Sequence, residues 1–240
     1  MIVNNKQAKA VLFDLDDTLI NHAEALEMAI LEVHRSFPEL GSTYSAADLV
    51  SAWKASLKTY YQDLTKERLP EHERRIRRVR SIWEKADCDL SDKACMEVMA
   101  MYLGTYKKNW QAHSDVIPML ERLKEFRLGV VTNGHIQQQN DKLRACEIDR
   151  HFEIVVTSEE VGSSKPSAAI FHHACKRLGV MPSETVFAGD LPDVDVFGAE
   201  RAGLVGVWIN RSGTERDASS TPKNSISSLL ELDSILAIVG

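Results

Sequence analysis

Residues 10–22 read AVLFDLDDTLINH: four apolar residues, Ala10 to Phe13, run directly into Asp14, Asp16 and Asp17. A short continuous apolar run closed by turn-forming residues is the pattern of a strand buried on both faces. Such strands belong to a parallel sheet wrapped by helices. Three carboxylates within four positions repel one another at the mouth of that strand, and more strongly as water is excluded. Something must offset that repulsion.

Four more segments share the character of the first. They are LGVVT ending at Thr132, FEIVVT from Phe152, TVFAG before Asp190, and VGVWI ending at Ile209. Helix-like stretches lie between them, including IQQQNDKLRACE and AAIFHHACKRLG. In the second, Ile170, Ala174 and Leu178 share one face, with Gly179 placed to cap its C-terminus. The alternation predicts an α/β fold with a Rossmann-like parallel sheet core. Residues 20–113 break it, with no convincing strand and four helical patterns beginning at Ala23, Ala46, Glu73 and Lys93. They read as an all-α domain inserted into the core, leaving 1–19 and 114–240 as the catalytic core. The tail from Arg211 to Ser225 reads as a surface loop before a last helix, ISSLLELDSILAIV.

Composition narrows the function. Of the 240 residues, 44% are hydrophobic and 27% charged, and the net charge of −6 does not suit a nucleic-acid polymer or an acidic membrane. No apolar stretch approaches a membrane span or a signal-peptide core. The four cysteines show no CxxC pairing and read as reduced thiols. The expectation is a cytoplasmic protein.

In open parallel sheets, ligands bind beyond the carboxyl ends of the strands. Asp14 and Asp16 follow the first strand, Thr132, Asn133 and Gly134 the second, Lys165 the third, and Asp190 the fourth. Any one alone is most simply a turn or a helix cap. Together, in this order, they would form a site.

These segments resemble the motifs of the haloacid dehalogenase-like hydrolase superfamily. DLDDTL is similar to its DxDx(T/V) nucleophile motif, VVTNG to its second motif, Lys165 to its third, and GDLPDVD to the GDxxxxD form of its fourth. The resemblance covers residues 8–19 and 114–210, and the helical insertion stands where one branch carries a cap. SKPSAAIF, AERAGLVGVWINRSG and SSLLELDSIL are similar to a branch containing pyrimidine 5'-nucleotidase-like and N-acylneuraminate-9-phosphatase-like phosphatases.

The resemblance implies Asp14 as nucleophile forming an aspartyl-phosphate, and Asp16 as acid/base. It implies that Thr132, Asn133 and Lys165 hold the phosphoryl group. A Mg²⁺ ion would sit on the carboxylates of Asp14 and Asp190 and the backbone carbonyl of Asp16. Asp195 would orient Lys165 or a metal-bound water, while Asp193 caps the following helix and Asp17 forms a turn. Leu191 stands where the family commonly has a small hydroxyl residue. The cap would close over the core to select the leaving group. The implied activity is hydrolysis of a small phosphorylated metabolite, a nucleoside monophosphate or a sugar phosphate. Alternatives are a phosphomutase or phosphonate hydrolase of the same fold, or a non-catalytic binding protein. Asp16 favours phosphate over halide chemistry, since family members that expel halide lack it.

Within the insertion, Lys66 to Arg80 carries seven basic residues against three acidic. A buried stripe of Ile76, Val79 and Trp83 predicts a helix with Arg74, Arg75, Arg77, Arg78 and Arg80 in solvent. The competing reading points one or two of them at substrate. Trp53, Tyr60, Tyr61 and Trp110 read as core residues rather than as a stacking platform for a base.

Overall fold

A computed structural model describes the main chain of residues 8–66 and 69–239, with side chains placed for 8–57 and 69–237. Along the chain run β1 (Ala10–Phe13), α1 (His22–Ser36), α2 (Ala46–Lys66), α3 (Glu71–Trp83), α4 (Asp92–Lys108) and α5 (Val116–Arg122). Next come β2 (Arg127–Thr132), α6 (Ile136–Ala145), β3 (Ile154–Thr157), α7 (Ser158–Val161), α8 (Ala168–Leu178) and β4 (Thr185–Gly189). The last are α9 (Phe197–Arg201), β5 (Val205–Ile209), β6 (Ser225–Ile226) and α10 (Leu232–Val239). These elements form two compact units: the chain up to Asn21 joined by Gln111 onward, and His22–Trp110.

In the first unit the strands form one parallel sheet ordered β3-β2-β1-β4-β5-β6. Successive β1 side chains enter opposite layers, as the two-residue period of a strand demands. Val11 and Phe13 pack with Met119, Leu143 and Leu232, whereas Ala10 and Leu12 pack with Ile170, Phe171 and Ala199. Ring packing consolidates the second layer, where Phe171 meets Phe187 edge-on at 5.0 Å between centroids. The helix α8 behaves as its sequence predicts. Ile170, Ala174 and Leu178 are buried, the Ser167 hydroxyl caps its start, and Gly179 closes it at φ +64°.

The tail departs from expectation. Ser225 and Ile226, the expected end of the surface loop and start of the last helix, instead add a sixth strand beside β5. Two residues are too few to show a periodic pattern. Their pairing is fixed instead by main-chain bonds from Trp208 to Asn224 and from Asn210 to Ile226. The last helix starts later than predicted, at Leu232, after a 3₁₀ turn capped by Ser228.

The second unit is a helical bundle with Leu26, Ile30, Trp53, Val79, Trp83, Val98 and Tyr102 in its interior. Trp53 and Trp110 are core residues as predicted; the side chains of Tyr60 and Tyr61, like that of Lys66, lie outside the described residues. The arginines need one correction. Arg78 is buried, 5.2 Å from the Trp53 ring centroid and 5.3 Å from that of Tyr102, and donates to Ser56 Oγ and the Trp53 carbonyl. A planar, weakly hydrated guanidinium can enter a core when aromatic faces and acceptors receive it, and three-to-four-residue periodicity does not register this. Arg75 pairs with Glu71 and Arg80 with Asp92, each at 2.5 Å, and Arg74 donates to the Leu69 carbonyl. The helix stripe is Ile76, Val79, Ile82 and Trp83, with Arg78 added.

All four cysteines are free thiols, Cys95 and Cys175 buried. No described helix is long and apolar enough to cross a membrane.

Candidate active site

Strand register delivers the acids to one rim. Phe13 at the end of β1 pairs with Val130 of β2 and Ala188 of β4, so Asp14 emerges at their common carboxyl end. Its N–H donates to the Ala188 carbonyl at 2.9 Å. Thr132 is the last residue of β2, and Asp190 is the first past β4. The sheet reverses its strand order between β1 and β4, where a crevice opens in folds of this class.

Lys165, buried, bonds through Nζ to Asp14 Oδ1. The same ammonium lies 2.7 Å from Asp195 Oδ1, a buried ion pair. Burial alone would depress the Lys165 pKa, but the charges of Asp14 and Asp195 outweigh it and hold the group cationic. Burial pushes the Asp14 carboxyl well above its ordinary range. Lys165 opposes that push, and Asp195 and Asp190 reinforce it. Asp195 is placed by a π-helical turn, Pro192–Val196, on which its N–H donates to the Leu191 carbonyl at 2.7 Å. Its Oδ2 accepts from the Leu191 N–H at 3.0 Å, so the backbone bonds at Leu191 do not need a hydroxyl side chain there. Gly189 makes room for this: a Cβ there would stand 2.5 Å from that of Asp195.

Asp16 faces elsewhere. Its Oδ1 lies 2.5 Å from Lys142 Nζ and its Oδ2 accepts from Gln139 Nε2 at 3.1 Å. Gln139 also donates to Thr132 Oγ1 at 2.7 Å, and the Gly134 N–H donates to the same oxygen at 3.1 Å. A hydroxyl has two lone pairs and one proton. Both lone pairs of Thr132 Oγ1 thus receive donors, and its O–H is the group left to donate. The side chain of Asn133, by contrast, is occupied. Its Oδ1 accepts from the Lys165 N–H and its Nδ2 donates to the Lys165 carbonyl, at 2.8 and 3.0 Å. It fixes the lysine loop.

Asp190 is flanked by the Thr18 hydroxyl at 3.5 Å, and its carbonyl accepts from Trp208 Nε1 at 2.9 Å. Burial, with the charges of Asp195 and Asp17, pushes its carboxyl up to about 7. Asp17 takes a left-handed turn at φ +62°, its N–H bonded to the Ile20 carbonyl. Asp193 does not cap the following helix as expected, since the N-cap of α9 is Val196; it pairs instead with Arg216 at 3.1 Å.

One carboxylate oxygen each of Asp14, Asp190 and Asp195 lie within 4.8 Å of one another. The residues fit a hard divalent cation on two grounds. The donors are all oxygens, the set that Mg²⁺ takes. Two of the three carboxyls are pushed toward protonation, first by burial and then by the charges of neighbouring carboxylates, and a cation would relieve that push.

Gln139 and Lys142 are the members that sequence reading missed. They stand three apart in IQQQNDKLRACE and are buried on the same stripe as Leu143. A glutamine and a lysine on the apolar face of a core helix were the available signal, since such groups are buried only when paired.

The chain matches the family model for haloacid dehalogenase-like hydrolases over residues 8–203. It is 34% identical over 239 residues to the N-acylneuraminate-9-phosphatase of Rattus norvegicus, covering 96% of this chain and 94% of that protein. It is 36% identical over 205 residues to the glyceraldehyde 3-phosphate phosphatase of Methanopyrus kandleri, covering 85% of this chain and 84% of that one. Among solved structures, the 2-haloacid dehalogenase of Pseudomonas syringae pv. Tomato superposes with a TM-score of 0.68 at 28% identity, covering 98% and 100% of the two chains.

Proposed function

This chain belongs to the haloacid dehalogenase-like hydrolase family, and on that footing we propose that it is a Mg²⁺-dependent phosphatase that hydrolyses a small phosphomonoester through an aspartyl-phosphate. The observation that carries the reading is the division of labour between two aspartates two residues apart. Asp14 is buried against Lys165, while Asp16 is held by Lys142 and Gln139 with its side chain 30% exposed.

Asp14 Oδ attacks phosphorus and the ester P–O bond breaks, leaving the phosphoryl group on the carboxylate. Asp16, entering protonated, gives its proton to the departing alkoxide and releases the alcohol. As a carboxylate it then takes a proton from water, whose oxygen attacks the aspartyl-phosphate. That P–O bond breaks, freeing inorganic phosphate and restoring Asp14. Lys165 and the Thr132 O–H offset charge on the phosphoryl oxygens. Asp14 and Asp190 would hold Mg²⁺, with the Asp16 carbonyl as a further donor, and Asp195 orients Lys165. The metal supplies positive charge against the crowded carboxylates and the phosphate.

A halide leaves without a proton, so a dehalogenase has no use for an aspartate held as Asp16 is. The two relatives named as phosphatases support a small phosphorylated metabolite as substrate, and the expected classes are a sugar phosphate or a nucleoside monophosphate. Purified protein with Mg²⁺ should hydrolyse p-nitrophenyl phosphate, and Asp14→Asn should lose at least ~10²-fold in rate. Undiminished turnover by that variant would refute the nucleophile assignment.

A further inference from the structure

Lys142 and Gln139 are 1% and 0% exposed, and they grip different oxygens of one carboxylate. Burying an ammonium and a carboxamide costs hydration and rotamer freedom, so their placement has to be repaid by specific partners. Asp16 is one of those partners for both. Two donors arriving on separate oxygens fix the plane of the carboxyl group as one donor cannot. The Asp16 side chain is 30% exposed beside these two buried donors. Gln139 then couples this group to the phosphoryl pocket, because the same Nε2 that holds Asp16 donates to Thr132 Oγ1. Its course over the second motif requires Gly134, where a Cβ would lie 2.4 Å from Gln139 Nε2.

Resting on the phosphatase reading, we infer that Lys142 and Gln139 are positioning residues for the leaving group. They aim Asp16 at the ester oxygen, and Gln139 sets that aim relative to the hydroxyl that holds the phosphoryl group. The proton passes from the Asp16 carboxyl to the alkoxide as the ester P–O bond breaks, and neither Lys142 nor Gln139 gives up a proton. Proton transfer by a positioned acid contributes roughly 10²–10⁴-fold, and a small misplacement forfeits much of it. That contribution matters only where the leaving oxygen needs a proton. An alkoxide does, and a nitrophenolate scarcely does.

The test compares kcat/KM for glycerol phosphate and for p-nitrophenyl phosphate in the Mg²⁺-loaded full chain. This parameter covers the steps through alcohol release, so the later hydrolysis of the phosphoenzyme, common to both esters, does not enter it. Lys142→Met should lower kcat/KM at least ten-fold further for the alkyl ester than for the aryl ester, and Lys142→Arg should recover part of that gap. Gln139→Leu should open the same gap and also lower turnover of both esters, because Thr132 loses a donor. Should Lys142→Met fail to fold, Gln139→Leu, a neutral replacement of similar size, carries the decision. Equal losses on both esters in the folded variants, or no loss, overturn the positioning role while leaving the phosphatase reading intact. A wild-type protein that hydrolyses neither ester overturns the phosphatase reading, and this inference with it.

Discussion

Asp190→Asn should make the metal-free protein more stable above neutral pH and remove its response to Mg²⁺. The Asp190 carboxyl is pushed from an ordinary 3.8 up to about 7, first by burial and then by the charges of Asp195 and Asp17. The folded state therefore binds this proton more tightly than the unfolded chain does. Below about pH 4 both states are protonated and there is no penalty. Between about pH 4 and about 7 the folded state must retain a proton that the unfolded chain has released, and stability falls as pH rises. Above about 7 the penalty is complete. The displacement of about 7 against 3.8 corresponds to roughly 4 kcal/mol. Partial exposure of the side chain and its coupling to Asp195 reduce that to about 2 kcal/mol.

Asparagine abolishes the charge and keeps an amide oxygen for the Thr18 hydroxyl. At roughly 2–4 °C per kcal/mol for a chain of this size, the variant should melt about 4–8 °C above wild type at pH 8 in a chelator. At pH 4 the two should agree. Adding Mg²⁺ should raise the wild-type midpoint and move the variant little, since a ligand stabilises the state it binds. The assay is thermal unfolding at the two pH values, with and without the metal. A variant no more stable than wild type at pH 8 in chelator would refute the claim that unrelieved charge is stored at this rim. A variant that gained as much from Mg²⁺ as wild type would remove Asp190 from the metal site.

Gly189→Ala should lower phosphatase turnover at least ten-fold at a stability cost of about 1–3 kcal/mol, because the new Cβ would drive Asp195 from Lys165. Steady-state kinetics beside urea unfolding check this, and unchanged kinetics would show that the Asp195–Lys165 contact is dispensable. In the helical unit, Arg78→Ala should cost about 2–4 kcal/mol through the lost aromatic stacking and the space it vacates. Arg78→Lys should not restore it, since an ammonium lacks the planar fork. Urea unfolding followed by tryptophan fluorescence reads both variants.

The parts of this molecule that were legible in its sequence are those where local pattern and final environment agree. AVLF and TVFAG are buried wherever they fold, because their side chains leave no other option, and the residues after them reach the rim by topology alone. Asp14, Asp16, Thr132, Lys165 and Asp190 could thus be named from strand ends. What could not be read were groups whose burial depends on a partner far along the chain. Lys142 pairs with a residue 126 positions away and Gln139 with one 123 away, partners that the pattern of α6 alone does not reveal. Arg78 is the same case in the helical unit, its acceptors Trp53 and Ser56 lying on a different helix. β6 is the converse, a pairing so short that no periodicity exists to read.

These failures share a physical cause. Periodicity registers the transfer free energy of a side chain taken alone, whereas a polar group enters a core on the energy of a pair. A polar residue standing on the apolar stripe of a helix that follows a catalytic strand is therefore a candidate for the site. In α6 that rule selects Gln139 and Lys142 and passes over Gln137, Asp141 and Arg144, whose hydrogen bonds are exposed and stay within their own helix. Both selected residues hold Asp16, and Gln139 alone goes on to Thr132, so the inferred support for leaving-group chemistry stands on a helix face that the strand-end motifs do not include.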